Sequence, residues 1–537
     1  MATLTQPDDD ELLPQFGYKQ QFVRSLRNFE SFAVAFSFIS ITTGIFTTYG
    51  FALTTGGPRA IWTWLIVAAG QALVALVYGA LAARVPLSGY SYQWASRLAN
   101  VHVGWWLGWM SFAFLSIVTV SVDYGLIQVA FQPLIGEVYT PTSAALETLV
   151  VLALQAGFII WSTRITTRVN NTAVATEIVG IVGLTVLLIV VAAIRGQGHW
   201  SNLASTGVVS HAGYYGWLGP FMVATLLGAY TIVGFEAASN LAEETQEPHK
   251  TIPKAMIRAV LLSGAVGMAF LIALSYATSS ISAATASPAP VALIVHDVLG
   301  GFVQKIFLIF VCVSIFACGL IIMVTNSRMI WSMARDRRLP GHQLWSQVPK
   351  ATGGPSWATI LAAVIGAVIT LVLRTHTAAL VTLFTASTIM PALLYASTVL
   401  LYVFAGRRRH GAAGHFSLGR WEGAVIAGAL VWLAYELIIL IGPSEFRDAQ
   451  YYVLGALVLG LVVYIGQQFL EPGAMRTETG ASGAAALSAV GQGALGQEAA
   501  PGSAAGSASA AGPASTAGPA STAGPGADPA GSAPGGV

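Results

Sequence analysis

The stretch that decides the fold covers residues 219–256 and reads GPFMVATLLGAYTIVGFEAASNLAEETQEPHKTIPKAM. It begins as an apolar membrane helix, yet Glu236 follows Gly234 where an uninterrupted span would still be apolar. Beyond Glu236 the chain becomes amphiphilic and passes through Pro248 and Pro253. In lipid, such a helix either ends at the membrane surface or is interrupted, and an interrupted backbone must be buried in protein or line a cavity. The rest of the chain decides between these two interpretations.

Composition identifies a membrane protein. The chain has 537 residues, of which 55% are hydrophobic and 9% charged, whereas soluble domains carry about 25% charged residues. We therefore expect a polytopic protein that is surrounded by the lipid bilayer. The net charge of +2, without a basic patch among aromatic residues, argues against nucleic acid as a partner. Because no cluster has metal-ligand spacing, we expect neither a metal site nor a cofactor.

Long hydrophobic runs predict an all-α protein with twelve transmembrane helices, since a span needs about 20 apolar residues. The predicted spans are 31–53, 61–82, 104–131, 144–161, 172–194, 217–241, 257–277, 302–324, 358–373, 379–404, 423–441 and 452–470. If the N-terminus is inside, twenty of the 25 Lys and Arg residues lie on the inner side. The positive-inside rule predicts this asymmetry. We therefore expect a multi-pass protein of the cell membrane with both termini cytoplasmic.

The spans predict how the chain divides into domains. A cytoplasmic segment precedes a twelve-helix domain, in which spans one to five and six to ten are interpreted as structural repeats. The tail is rich in Ala, Gly, Pro and Ser, cannot bury a core, and is predicted to be disordered. The predicted boundaries are 1–30 for the cytoplasmic segment, 31–470 for the membrane domain, 31–194 and 217–404 for the repeats, 423–470 for two extra helices, and 473–537 for the tail.

The first span is also irregular, because Thr42, Thr43 and Gly44 crowd its middle and such residues are weak helix formers. One interpretation is a small-residue face for close helix packing. The other is a broken helix that pairs with the sixth span, and paired interrupted spans indicate the midplane site of a transporter. The freed amides suit a carboxylate and the freed carbonyls suit an ammonium group. A zwitterionic amino acid matches both.

Several segments together resemble the amino acid–polyamine–organocation (APC) superfamily, most closely its amino acid/choline and GABA permease subgroup. The similar segments are TGIF at residues 43–46 followed by Gly50, GGP at 56–58, VPLSGYSYQW at 85–94, GFE at 234–236 through Pro253, and residues 327–340. The resemblance implies two inverted five-helix repeats plus two extra helices, with helices one and six broken. It also implies secondary transport of amino acids or related amines by alternating access, usually driven by protons.

The same resemblance implies site residues on the two breaks. The amides of Thr43 and Gly44 would meet the substrate carboxylate, and Tyr230 would cover the substrate from outside. Thr42 departs from the family's pattern, which often has Gly there, so its hydroxyl is an additional candidate ligand. The substrate-binding residues implied in this way are Ser40, Ile41, Thr42, Thr43, Gly44, Tyr230, Val233 and Gly234, with the carbonyls of Ser40, Ile41, Tyr230 and Val233 facing the ammonium group.

Ionisable residues inside spans are functional candidates, because placing one at the bilayer centre costs about 2.5–3.5 kcal/mol even on the mildest scale. Glu177 lies deep in the fifth span and is our candidate for proton coupling; the alternatives are binding of sodium or of a substrate amine, or a paired charge between packed helices. Glu236 is a candidate for gating or for capping the second half of its helix, with direct proton coupling and a position at the membrane interface as the alternatives. Asp123 lies either on the substrate path or at the outer interface. Glu436 is interpreted as a partner between helices outside the core.

These observations predict a secondary transporter that imports an amino acid or related amine such as GABA with protons, or with sodium. An alternative is a carrier of choline, ethanolamine or polyamine-type cations, for which Glu177 or Asp123 would carry recognition. A less favoured alternative is a permease-like nutrient sensor. No nucleophile–base constellation indicates an enzyme. The oligomeric state is open, with a homodimer among the possibilities.

Overall fold

The computed structural model describes residues 13–14, 16–350, 352–375, 378–406 and 416–475. The predicted all-α class is confirmed, since these residues contain helices, short 3₁₀ and π turns and a single parallel bridge between Leu26 and Thr245, but no extended strand. The predicted tail beyond residue 475 lies outside the described residues. The helices are α1 Asn28–Ile39, α2 Ile41–Gly56, α3 Thr63–Arg84, α4 Tyr90–Leu98, α5 Val101–Leu126, α6 Gln132–Ile135, α7 Pro141–Trp161, α8 Thr163–Ile194, α9 Pro220–Val223, α10 Leu226–Thr231, α11 Ala237–Asn240, α12 Pro248–Ala277, α13 Ile281–Ala286, α14 Pro290–Leu299, α15 Gly301–Arg335, α16 His342–Trp345, α17 Ser356–Leu373, α18 Ala379–Leu401, α19 Glu422–Ile441 and α20 Arg447–Leu470.

Eleven helices in the described part of the chain are long and apolar enough to cross a membrane. The sixth predicted span is absent from these eleven because it is not continuous. It consists of the short helices α9, α10 and α11, separated by irregular backbone. The sequence therefore placed this segment correctly. Because the segment is interrupted, none of its short helices is long enough to cross the membrane alone.

The first span breaks at Ser40, between α1 and α2. Ser40 has φ 36° and ψ 95°, which no helix allows. α2 resumes immediately at Ile41 and continues to Gly56. The break falls two residues before the Thr42–Gly44 cluster that predicted it, so the interrupted interpretation is confirmed.

The sixth span breaks after Thr231, where α10 ends. Gly234 has φ +80°, a conformation that glycine adopts without steric cost. A helical turn begins again at Ala237. Of the two interpretations of residues 219–256, an internal interruption is therefore correct.

The two breaks lie against each other, and both require glycine for steric reasons. A Cβ at Gly44 would overlap the side chain of Thr231 in α10, and one at Gly234 would overlap the ring of Phe38 in α1. Each glycine thus lets its break approach the opposite broken span. Close packing by small residues, the other interpretation of the first span, accompanies the break.

One end of the bundle is joined by backbone and ionic contacts. The Leu26 amide donates to the Glu244 carbonyl at 2.9 Å, and the Gln246 amide donates to the Leu26 carbonyl at 2.8 Å. In the same region the buried Arg328 guanidinium pairs with the Glu244 carboxylate at 2.9 Å. Because Leu26 precedes α1, these contacts tie the start of the first span to the end of the sixth.

Replacing Gly44 by Ala should destabilise the folded protein, because the added Cβ would overlap the Thr231 side chain. Overpacking a buried contact costs about 1–3 kcal/mol, so we expect a lower melting temperature for the purified protein. Gly183→Ala in α8 is the matched control, since a Cβ there meets no neighbouring atom. Equal melting temperatures for Gly44→Ala and the wild type would contradict the close packing of the two spans.

Candidate functional site

Two amides that lose their helical acceptors at the first break have new partners. In a continuous helix, the amides of Thr42 and Thr43 would bond to the carbonyls of Phe38 and Ile39. Instead the Thr42 amide donates to the Glu177 carboxyl at 3.0 Å, and the Thr43 amide donates to Ser40 Oγ at 3.2 Å. The regular pattern resumes when the Gly44 amide donates to the Ser40 carbonyl at 3.0 Å. The break is thus confined to one turn.

Glu177 reaches this break from α8. Its Oε1 accepts the Ser40 hydroxyl at 2.9 Å as well as the Thr42 amide, and its side chain is buried. The start of a helix carries partial positive charge and unpaired amides, which favour a carboxylate. Glu177 therefore occupies the position at the start of α2 where an anionic ligand would be most stable.

This arrangement bears on the predicted recognition of a substrate carboxylate. The amides of Thr43 and Gly44 both have protein partners, namely the side chain and the carbonyl of Ser40. The strongest donors at the break, the Ser40 hydroxyl and the Thr42 amide, are held by Glu177. A substrate carboxylate would compete with these bonds for the Ser40 hydroxyl and for the amides of Thr42, Thr43 and Gly44. The predicted contacts of Thr43 and Gly44 with substrate remain predictions.

The second break exposes carbonyls. In a continuous helix, the amides of Gly234 and Ala237 would bond to the carbonyls of Tyr230 and Val233. The Gly234 amide donates to the Tyr395 hydroxyl at 2.9 Å instead, and the Ala237 amide donates to the Gly234 carbonyl at 3.0 Å. The carbonyls of Tyr230 and Val233 thereby lose their helical donors. They are the two sixth-span carbonyls that, by the family resemblance, would face the ammonium group of a substrate.

Tyr395 of α18 holds the second break together and was missed in the sequence. Its hydroxyl accepts the Gly234 amide and donates to the Glu236 carboxyl at 2.6 Å. Its ring lies 5.4 Å from that of Phe235 and 5.2 Å from that of Tyr78, measured between centroids. Glu236 is buried and lies beside the break, where the sequence predicted a structural or gating role. A tyrosine inside the tenth span was the only signal available.

Tyr230, in the sixth span, contacts two other spans. Its hydroxyl is 3.0 Å from Ser121 Oγ in α5, and its ring centroid is 5.7 Å from that of Phe384 in α18. Phe384 also lines a cavity of about 230 Å³, whose rim includes Thr54 and Ala378. We call this cavity the vestibule. Thr54 and Leu26 lie at opposite ends of the first span. The vestibule therefore occupies the end of the bundle opposite the Arg328–Glu244 ion pair.

Asp123 is fully buried and does not bond to either break. Its Oδ1 accepts the Gln155 amide at 2.7 Å, and its carboxyl packs against Gly319 in α15. Its burial separates it from solvent, and both alternatives from the sequence, the substrate path and the outer interface, remain predictions. Glu436 accepts Gln71 Nε2 at 3.3 Å, which confirms its predicted role between helices α19 and α3.

Two helices broken face to face in a helical membrane bundle, with amides released from the helical pattern at one break and carbonyls at the other, are typical of secondary transporters. A family model for amino acid permeases matches residues 26–464. The chain therefore belongs to the amino acid permease family, which confirms the predicted resemblance. It is a membrane transport protein of this family and not an enzyme.

Relatives in eukaryotes match over most of their length. The chain is 26% identical over 472 residues to the amino-acid permease BAT1 homolog of Oryza sativa, covering 81% of this chain and 88% of the relative. It is 26% identical over 471 residues, with the same coverage, to the amino-acid permease BAT1 of Arabidopsis thaliana. It is 23% identical over 460 residues to the GABA-specific permease of Saccharomyces cerevisiae, covering 82% of this chain and 79% of the relative.

Replacing Tyr395 by Phe should destabilise the second break, because the Gly234 amide and the Glu236 carboxyl lose their shared partner. Leaving a buried polar group unpaired costs about 1–3 kcal/mol. The measurement is thermal unfolding of the purified protein. Tyr49→Phe is the matched control, since it removes another buried hydroxyl, 3.3 Å from Ser275 Oγ. A Tyr395→Phe protein that unfolds at the wild-type temperature would show that the bridge is dispensable.

Proposed function

We propose that this protein imports a small amino acid, such as GABA, across the cell membrane by proton-driven alternating access. In this proposal both termini are cytoplasmic, so the vestibule faces outward and the ionic contacts at Arg328 close the inner side. The family supports transport of amino acids, and the distribution of Lys and Arg supports the orientation. The observation that carries the coupling mechanism is the bond between Glu177 and the start of α2.

Glu177 and the substrate carboxylate compete for the same donors in this mechanism. The ionised Glu177 accepts the Ser40 hydroxyl and the Thr42 amide at 2.9 and 3.0 Å. Protonation of Glu177 removes its charge and weakens both bonds, because charged acceptors form hydrogen bonds about twice as strong as neutral ones. The substrate carboxylate then takes the freed donors and the positive end of α2. Proton and substrate therefore bind together, because protonation of Glu177 frees the donors that the substrate carboxylate needs.

The ammonium group of the substrate meets the opposite break. The carbonyls of Tyr230 and Val233 carry the partial negative charge of a helix end, and their helical donors are engaged elsewhere. Together the two breaks offer donors to one end of a zwitterion and acceptors to its other end. The Tyr230–Phe384 contact closes this space toward the vestibule.

Glu177→Gln should abolish uphill uptake driven by a pH gradient while retaining exchange of substrate across the membrane. The amide cannot take up a proton in each cycle, yet as a neutral acceptor it releases the Ser40 and Thr42 donors. Uptake and counterflow of labelled GABA in proteoliposomes measure the two activities separately. Replacing the pH gradient by a sodium gradient tests the other coupling ion.

Glu436→Gln is the matched control for this experiment, because Glu436 is also buried but bonds to Gln71 and not to a break. We expect this variant to retain uphill uptake. If Glu177→Gln shows the same pH-driven accumulation as the wild type, Glu177 is not the coupling residue.

The contact of Glu177 with the start of α2 also favours a second candidate function, transport of a cationic amine without a carboxylate. Glu177 would then supply the anion at the start of α2, and the substrate would bring only its amine. Uptake of labelled GABA and of labelled choline, measured in parallel proteoliposomes, separates the two functions. We expect uptake of GABA; uptake of choline without uptake of GABA would favour the second.

Tyr230→Ala should weaken substrate retention, because the contact with Phe384 is lost and the space between the breaks opens to the vestibule. We expect faster substrate release and a raised KM in proteoliposome uptake. Tyr230→Phe keeps the ring and removes only the bond to Ser121, so it should retain most of the activity. Wild-type KM and release rate in Tyr230→Ala would exclude Tyr230 as the lid.

A further inference from the structure

A second cavity, of about 370 Å³, lies away from the two breaks. Four helices form its walls, namely α5, α17, α18 and α20. Its lining is almost entirely hydrocarbon and includes Trp109, Ile117, Ile369, Leu383, Tyr452 and Leu459. We call it the apolar pocket. No charged side chain belongs to this lining.

Two polar groups of the wall are engaged within the protein. Trp109 Nε1 donates to the Ala456 carbonyl at 2.9 Å, and Ser116 Oγ donates to the Phe112 carbonyl at 2.8 Å. Polar groups of a ligand would find few partners in this almost entirely hydrocarbon lining, and burying them there is unfavourable. The chemistry of the pocket therefore selects a hydrocarbon chain.

The mouth of the pocket is continuous with the surface that faces lipid. At its rim, Leu459 is 56% exposed and Tyr452 is 36% exposed. Both belong to α20, a helix long and apolar enough to span the membrane. A protein void that opens onto the hydrocarbon layer loses dispersion contacts unless a chain fills it. Phospholipids are the molecules of that layer that can supply such a chain.

We propose that the apolar pocket is a binding site for one acyl chain of a membrane phospholipid. The chain enters between α17 and α20 and lies against α5 and α18. This site is separate from the substrate path, because none of its lining residues belongs to either break.

The position of α18 gives the bound chain a structural consequence. Leu383 faces the apolar pocket, while the next residue, Phe384, lines the vestibule and contacts Tyr230. α18 is therefore the partition between the two cavities. Pro391 lies inside this helix and removes one backbone hydrogen bond there, which permits bending. The segment before Pro391 carries Phe384, and the segment after it carries Tyr395. A chain in the pocket braces the first of these segments.

Photo-crosslinking tests the occupant. The full chain is reconstituted into vesicles of phosphatidylethanolamine and phosphatidylglycerol that contain a phosphatidylethanolamine with a diazirine in one acyl chain. Labelled residues are mapped by mass spectrometry. We expect labelling of Leu383 or Trp109, which face the pocket. Absence of label from every lining residue, or label there from a diazirine fatty acid but not from the phospholipid, would overturn the proposal.

Filling the pocket provides the matched comparison. Ala386→Phe enlarges a lining residue on α18, and Ala113→Phe enlarges one on α5. Each should reduce labelling of the pocket at least severalfold, and agreement between two opposite walls guards against misfolding of one variant. Val458→Phe, at a position on α20 that is 53% exposed and does not line the pocket, should leave the labelling unchanged. Undiminished labelling in both filled variants would overturn the site.

Amide hydrogen exchange tests the bracing of α18. Purified protein in detergent is compared before and after addition of phosphatidylethanolamine. We expect slower exchange in residues 379–390, before Pro391, and less change in residues 392–401. In Ala386→Phe the lipid should no longer slow this exchange. Equal protection of both segments, or none in either, would overturn the bracing role.

Discussion

Lipid offers no hydrogen bonds, so a backbone group that either break releases must be buried in protein or face a water-filled cavity. At the first break the partners are side chains, Glu177 from α8 and Ser40 from the break itself. At the second break Tyr395 from α18 takes the Gly234 amide. The breaks are thus stabilised by helices that lie outside them. A movement of α8 or α18 necessarily changes which backbone groups are free.

The two spans can supply one common site only because their backbones approach closely. Gly44 makes room for Thr231, and Gly234 makes room for the ring of Phe38. Glycine at these positions therefore has a packing role that is independent of any substrate. The same close approach brings the start of α2 and the end of α10 together at the two breaks.

The sequence predicted the helical class, the span positions and both breaks, because hydropathy, weak helix formers and a charge within an apolar run are local signals. It also identified Glu177 as an unusual acid by its depth. It could not predict that Glu177 bonds to Ser40, 137 residues away, since no periodicity reports contacts between distant spans. Tyr395 was missed for the same reason. Asp123 was ambiguous because its partner, Gln155, lies on another span.

In the proposed mechanism, proton and substrate meet at one pair of donors, so their coupling needs no pathway through the bundle. Linkage is reciprocal, so if protonation of Glu177 raises the affinity for a carboxylate substrate, that substrate raises the affinity of Glu177 for the proton by the same factor. Asp123 and Glu436 are buried acids too, but their partners, Gln155 and Gln71, belong to neither break. In this proposal, burial of an acid in a span is not sufficient for coupling; what sets Glu177 apart from these two acids is that it accepts the Ser40 hydroxyl and the Thr42 amide at the first break.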